Sequence, residues 1–416
     1  MPARLVIIGS GETSPTMVKL HRELLAEAGP GPGSVLDTPF GFQANADDLT
    51  DKILEYFRDS VGRSLDVASW RRRDEPTVAR ERTLELLGRS SWAFAGPGSP
   101  SYALRQWIDT PVPGRLIDLV NRGGTLTMGS AAAVTLGAYA LPVYEIYKVG
   151  DEPAWLRGLD LLGAFTGLTA AVVPHFDNRE GGRHDTRYCY MGEQRLVDLE
   201  AMLPEDVGVI GIDEHTAAIL DLESAAVDVR GAGGMTLRHR GRSTFVASGE
   251  RITVAAMATA LAGSAPETHA PAPERTVVTL AADVGAPSLR TAVEQRRVAF
   301  DAALLAGDSD GALAEALGVE EDIRAWSTDT LEGDDIDAAR AVLRGMIVAL
   351  AGAAAHGLRD ERDVIGPFID IALDARQRAR AAKDFAASDA VRDGLIAQGI
   401  EVRDTPDGAA WERSGS

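Results

Sequence analysis

Three polar residues in this chain each close a short apolar run, and together they are the parts of an acyl-transfer site. The first is Ser130, in Gly123-Gly124-Thr125-Leu126-Thr127-Met128-Gly129-Ser130-Ala131-Ala132-Ala133. This stretch reads as a buried strand, a sharp turn with one serine, and a helix opening on small residues. Such an elbow pushes the hydroxyl clear of the backbone at the carboxyl end of a sheet. The second is His175, which ends the run Val172-Val173-Pro174. The third is Glu214, at the end of Val207-Gly208-Val209-Ile210-Gly211-Ile212-Asp213. Acyl transfer needs a hydroxyl, an imidazole to take its proton, and a carboxylate to orient the imidazole. Each residue also has a plainer reading. Ser130 could be a helix N-cap, a role serine favours. His175 could be a satisfied histidine at a core edge, and Asp213-Glu214 a solvated turn.

The elements that must position these residues follow from the apolar pattern. Leu5 to Gly9 is continuously apolar, as a buried parallel strand is. It runs into Gly9-Ser10-Gly11-Glu12-Thr13-Ser14-Pro15 and then a helix from about Met17 to Ala28. That loop is only faintly like a dinucleotide loop, because a third glycine and a ribose-binding acid are missing. Strands are expected at Val35 to Thr38, Trp92 to Ala95, Thr125 to Met128, Ala170 to Val173 and Val207 to Ile212. A helix is expected from Asn45 to Val61, with Leu49, Ile53, Leu54 and Phe57 at helical spacing. From Thr216 to Val254 the pattern shortens to alternating strands, with turns at Gly231-Ala232-Gly233-Gly234 and Gly241, as in hairpins at a sheet edge. The fold class is therefore α/β, a mostly parallel sheet flanked by helices. Open sheets of this kind bind ligands beyond the carboxyl ends of their strands.

Residues 1–263 resemble the cyanophycinase and peptidase E family, serine hydrolases of the class I glutamine amidotransferase-like fold. The resemblance rests on Ile7 to Glu12 (IIGSGE), Phe94 to Leu104 (FAGPGSPSYAL), Thr127 to Ala133 (TMGSAAA), Val173 to Asp177 (VPHFD) and Gly211 to Leu220 (GIDEHTAAIL). It implies that Ser130 is the nucleophile, His175 the base and Glu214 the orienting acid. It also implies oxyanion or substrate contacts from Gly98, Ala131, Gly11 and Arg187. Pro97, inside the Gly96-Pro97-Gly98-Ser99 turn, has no N–H to give. Met128 and Ala132 stand where the family has glycines, and Met128 is expected to crowd the strand side of the elbow. Among Arg179, Arg183, Arg187 and Arg195 the family's arginine stretch, which positions an acidic substrate in the relatives, is followed only loosely, which leaves the substrate class open; a small peptide or another acyl or amide compound is the expected partner.

The far end resembles a second family. Asp374 to Leu395, with the spacing R-x-x-AR-x-x-KDF-x-x-SD-x-x-RD-x-L, continues into Gly399-Ile400-Glu401-Val402-Arg403-Asp404-Thr405-Pro406-Asp407-Gly408 and Trp411. This is similar to the carboxyl-terminal tail of cysteinyl-tRNA synthetase. The helical pattern before it, from about Ser288, is similar to the anticodon-binding bundle of those enzymes. The resemblance implies an all-α bundle over 288–416, with tRNA as a partner and Arg376, Arg380 and Lys383 as contacts. No HIGH-type or KMSKS-type signature is present, so aminoacylation is not expected. Residues 264–287, with Pro266, Pro271, Pro273 and Pro287, read as a linker between the two regions.

Composition bounds the rest. The 416 residues fit two domains, and 45% hydrophobic content supplies ample core. A single cysteine, Cys189, excludes a disulfide framework and suits a reducing cytosol. No leader pattern and no long apolar run is read, so the expected location is cytoplasmic, without membrane contact; an oligomer is compatible with the sequence. A net charge of −20 works against non-specific binding to a polyanion. Arg71-Arg72-Arg73 has the chemistry to bind an anion, but before an acidic pair it reads rather as a solvated face. His175, Asp177, His184, Asp185 and Cys189 contain metal-ligand chemistry. However, Gly181-Gly182 and the arginines around them make a cationic loop, so neither metal nor cofactor is expected, and Cys189 reads as a small buried hydrophobe between two tyrosines. The function these readings favour is a serine hydrolase of the peptidase or amidohydrolase type with an appended tRNA-binding-like domain. The alternative is an inactive scaffold that binds RNA or protein.

Overall fold

A computed structural model describes residues 3–29, 31–178, 184–268, 288–326, 334–357, 361–405 and 408–413. Eight strands form the larger sheet. At its centre Arg4–Ile8, Thr125–Gly129, Trp92–Ala95, Gly33–Leu36 and Asp66–Val67 pair in parallel in that order. On the other side of Arg4–Ile8, Thr216–Asp221, Ala226–Gly231 and Arg251–Thr253 continue the sheet antiparallel. The parallel strands are mostly apolar and buried on both faces: Leu5, Ile7, Leu126, Ala93 and Ala95 share one core, while Val6 and Ile8 belong to another.

The strands that carry His175 and Glu214 belong to a second sheet of six strands. Ala170–Val173 lies parallel to Gly208–Ile212. Gly234–His239 and Arg242–Ala247 extend it antiparallel on one side. The short strands Tyr139–Ala140 and Leu156–Arg157 close the other. The sequence pattern placed all the apolar strands in one sheet. Apolar runs mark strands, whereas hydrogen-bond pairing divides them, and only pairing tells one mixed sheet from two. The turns at Gly231 and Gly241 fall where the pattern put them.

Helix boundaries shift for local reasons. The first helix is Val18–Glu27, entered through the short turn Pro15–Met17. The second covers Ala46–Glu55 and then widens into a π-type turn, Tyr56–Val61, closed by Gly62 at φ 84°. That turn carries Tyr56 and Phe57 into an aromatic cluster with Trp92, Phe94 and His21. The linker expected over 264–287 lies mostly outside the described residues.

Beyond it, Leu289–Leu305, Ser309–Trp326 and Asp334–Gly357 pack around Val293, Phe300, Ala316, Val319 and Met346. The helices Glu361–Ala381 and Phe385–Ala397 follow. The chain then departs from the all-α expectation: Ile400–Thr405 and Gly408–Arg413 form an antiparallel hairpin. Its alternation of Ile400, Val402 and Trp411 with charged residues is a strand pattern, which the helical reading of the tail had overridden. Among the described residues no helix is long and apolar enough to cross a membrane.

Candidate active site

Ser130 stands between the strand Thr125–Gly129 and the short helix Ser130–Val134, with φ at 46°. A non-glycine residue held left-handed costs about 1–3 kcal/mol and persists only where its surroundings fix it. Here the surroundings are tight. Ala131, Ala132, Ala133 and Val134 are all buried, and the Ala132 N–H donates to Gly96 O at 3.2 Å. The helix N-cap is Gly129, so Ser130 does not cap. Instead its Oγ lies 3.0 Å from His175 Nε2. Met128 is fully buried and packs in the main core together with Ala132, the second residue after Ser130.

His175 also has a positive φ, 48°. Its N–H donates to Gly9 O at 3.3 Å, and its own carbonyl accepts the Cys189 N–H at 3.1 Å. These bonds tie it to the end of the first strand and to the turn that follows. Its Nδ1 lies 2.9 Å from Glu214 Oε1. The Nδ1–H tautomer satisfies both contacts: Nδ1–H donates to the carboxylate, and the bare Nε2 accepts the serine hydroxyl. Burial pushes the Glu214 carboxyl up, but the His175 hydrogen bond, the charges of His175 and His215, and Asn178 outweigh it and hold the group below its ordinary value.

Two more residues complete this arrangement: Asn178, which the sequence did not single out, and Asp177, which it named only within a motif and among metal-type side chains. Asn178 Nδ2 donates to the same Glu214 oxygen at 3.1 Å. Asp177 Oδ1 accepts the Glu214 backbone N–H at 2.8 Å. Both follow His175 within three positions, and that adjacency was the available signal. Asp213, the other half of the carboxylate pair, faces away and accepts the Gly234 N–H at 2.8 Å, which locks the next hairpin. Glu12 is fully buried beneath the elbow: a Cβ added at Gly129 would stand 3.0 Å from its carboxyl carbon.

The remaining expected site residues are placed as follows. Gly98, at φ 138°, backs onto Pro39, where any Cβ would meet the carbonyl oxygen at 2.1 Å. Only glycine lets that turn approach so closely. Gly11, at φ 64°, abuts His215, whose Nδ1 lies 3.1 Å from Thr16 Oγ1. Ala131 follows Ser130 on the elbow and is buried. Arg187 is engaged by its neighbours: it donates to both Asp185 carboxylate oxygens at 2.8 Å, and its guanidinium lies 4.9 Å from the centre of the Tyr188 ring. Arg179 and Arg183 lie outside the described residues.

Arg187 belongs to a network that holds the turn behind His175. Residues Tyr188, Cys189 and Tyr190 all have positive φ. Tyr188 Oη donates to Glu193, which also receives Arg238, and Arg238 in turn binds the buried Glu200. Burial, and then the bond to Glu193, push the Tyr188 hydroxyl up to about 12. Burial, with help from the Glu214 charge, pushes the Cys189 thiol up to about 12. It is therefore a packed hydrophobe in the second core, as the sequence suggested. Among the described residues no cluster of three His, Cys, Asp or Glu side chains has metal-site geometry.

In the tail, Arg376 is buried and donates to both Asp404 oxygens, at 2.6 and 3.0 Å, while Arg380 donates to one at 2.7 Å. These two expected tRNA contacts are occupied in fixing the hairpin on its helix. Lys383, with φ at 63°, remains exposed at the helix end.

This architecture is shared with a solved protein described as a peptidase. A peptidase from an acI-B1 Actinobacterium superposes with a TM-score of 0.50 at 20% sequence identity, covering 61% of this chain and 97% of that one. A separate region is related in sequence to cysteine–tRNA ligases. The enzyme of Arthrobacter sp. (strain FB24) is 36% identical over 144 residues, 33% of this chain and 29% of that protein. That of Nitratidesulfovibrio vulgaris (strain DP4) is 61% identical over 44 residues, 11% of this chain and 9% of that one. The chain thus spans less than a third of the length of these relatives. No protein-family model matches it.

Proposed function

We propose that the amino-terminal region is a serine-type hydrolase acting on a peptide or a related amide or ester. The observation that carries this reading is the strained elbow: Ser130, at φ 46°, aims its Oγ at His175 Nε2, whose other nitrogen is held by Glu214. A serine used only for structure has no reason to be kept in this conformation and on this partner. In the reaction, Ser130 Oγ attacks the substrate carbonyl carbon and its proton passes to His175 Nε2. Glu214 stabilises the resulting imidazolium. Collapse of the tetrahedral intermediate breaks the bond to the leaving group, which takes the proton from Nε2. Water then hydrolyses the acyl-serine by the same steps in reverse roles. Backbone N–H groups of Ala131 and Gly98 are the proposed donors to the oxyanion.

The test is a fluorophosphonate probe on the full chain. Covalent labelling that maps to Ser130 and disappears in Ser130→Ala supports the reading; an unlabelled, folded wild-type chain refutes it. For the carboxyl-terminal region we propose a recognition module rather than a second catalytic unit. The sequence relation to cysteine–tRNA ligases favours tRNA as its partner, with Lys383, exposed and in no ion pair among the described residues, the contact we favour.

A further inference from the structure

The geometry points to a second binding site, for a small organic anion with an apolar body, in a cleft beside the helix Pro100–Trp107. The cleft has a volume of about 720 Å³, within the range of small-molecule sites. Arg73, Arg105 and Arg157 reach it from three separate segments of the chain, and Leu104, Ile108 and Leu156 form much of its apolar wall. None of these arginines forms an ion pair among the described residues, while the adjacent Arg71 and Arg72 are paired with Asp37 and Asp74. Three arginines without carboxylate partners among the described residues thus line one cleft in a chain of net charge −20.

The single acid in the lining does not cancel them. Three arginines and Glu145 leave two net positive charges, and Glu145 Oε2 already accepts the Ser101 hydroxyl at 2.9 Å. Clefts lined by one sign of charge focus the field on a ligand of the opposite sign. Part of the rim is braced. The Arg73 N–H donates to Gln106 Oε1 at 2.9 Å, and the Arg105 guanidinium lies 5.8 Å from the centre of the Tyr102 ring. Planar guanidiniums favour carboxylate and phosphate oxygens, and the aliphatic wall takes the ligand's apolar part. The helix that carries Ser101, Leu104 and Arg105 begins directly after the Gly96-Pro97-Gly98-Ser99 turn. An anion in the cleft therefore sits on the same element that fixes this turn.

Calorimetric titration of the full chain at low salt with phenyl phosphate, benzoate and neutral benzyl alcohol tests the assignment. The two anions are expected to bind once per chain and benzyl alcohol not to bind. Preference for phenyl phosphate over benzoate assigns a phosphate ligand; the reverse assigns a carboxylate. The double variant Arg105→Glu/Arg157→Glu is expected to weaken anion binding at least about tenfold, since two attractive contacts become repulsive. Leu156→Asp, which leaves the arginines in place, should weaken it as well. Neither variant should change fluorophosphonate labelling of Ser130, so the hydrolase reading and this one fail separately. Undiminished anion binding in the double variant overturns the site, as does equal binding of benzyl alcohol or no binding of either anion at millimolar concentration.

Discussion

Asp177 and Glu214 meet side chain to backbone: Asp177 Oδ1 accepts the Glu214 N–H at 2.8 Å. This bond crosses between the ends of two neighbouring strands and sets where the Glu214 carboxylate begins. Asn178, the next residue, then holds the far end of the same side chain. Glu214 is thus held at both its backbone and its carboxylate by the two residues that follow Phe176.

Asp177 is accordingly expected to act as a positioning residue. Asp177→Ala should slow fluorophosphonate labelling of Ser130 by up to about 100-fold, the scale on which misplaced catalytic groups lose rate. Asp177→Asn, which keeps an acceptor for the N–H, should recover most of it. Equal labelling rates in both variants and wild type would remove Asp177 from the site's support.

The elbow predicts a trade between stability and activity. Ser130→Ala should abolish labelling and leave the melting temperature nearly unchanged, because alanine suffers the same backbone strain. Ser130→Gly should also be inactive but more stable than Ser130→Ala, by about 1 kcal/mol, since glycine accepts positive φ without penalty. Thermal melts of the two variants side by side check the difference, and a less stable glycine variant would contradict it.

His21 should govern an acid limb of stability. Desolvation lowers its pKa to about 4, although its Nε2–H bond to Glu12 O at 2.7 Å opposes the shift little. The unfolded chain binds this proton near pH 6.5 and the folded chain only near 4, so stability is full above 6.5 and falls as the pH drops through that window. The loss approaches about 3 kcal/mol by pH 4. His21→Gln keeps a donor for Glu12 O and does not titrate. Denaturant midpoints measured from pH 7 to 4 should fall less steeply for this variant than for wild type.

Cys189 should be chemically silent in the native chain. With its thiol pushed up to about 12, no useful thiolate exists at pH 8. A disulfide exchange reagent should react with about one thiol per chain only after unfolding. Rapid reaction of the native protein would show that the Tyr188-Cys189-Tyr190 turn opens.

The carboxyl-terminal region separates a structural arginine from a candidate contact. Asp404→Asn leaves the buried Arg376 without its carboxylate and should destabilise the hairpin, because a buried charge stripped of its partner is costly. Lys383→Glu should leave stability unchanged and weaken any tRNA binding of the full chain, measured by anisotropy at low salt. If Lys383→Glu binds tRNA as wild type does, that residue is no contact.

Residue types and local order were enough to pick out Ser130, His175 and Glu214 as candidates. Each follows a largely apolar run that reads as a buried strand, and Ser130 is flanked by residues small enough for a tight turn. The edge hairpins were legible for the same reason, through alternation and paired glycines. What the sequence could not supply was pairing. Whether Ala170–Val173 joins Thr125–Gly129 in one sheet or lies in another depends on hydrogen bonds between segments far apart in the chain. The same limit hid the engagement of Arg187 by Asp185 and of Arg376 by Asp404. A basic residue reads the same in sequence whether it faces a ligand or an acid of its own chain.

The sequence by itself determined the elements, their apolar faces and the chemical types available at the strand ends, because burial and turn chemistry are local constraints. Tertiary structure decided which of those types meet. Ser130 and His175 come within 3.0 Å although 45 positions separate them, and the positive φ of each is held by contacts with other strands and turns. It likewise gathered Arg73, Arg105 and Arg157 around one cleft from segments that share no pattern. Distances between segments are fixed by packing, and packing is a property of the whole fold rather than of any stretch of it.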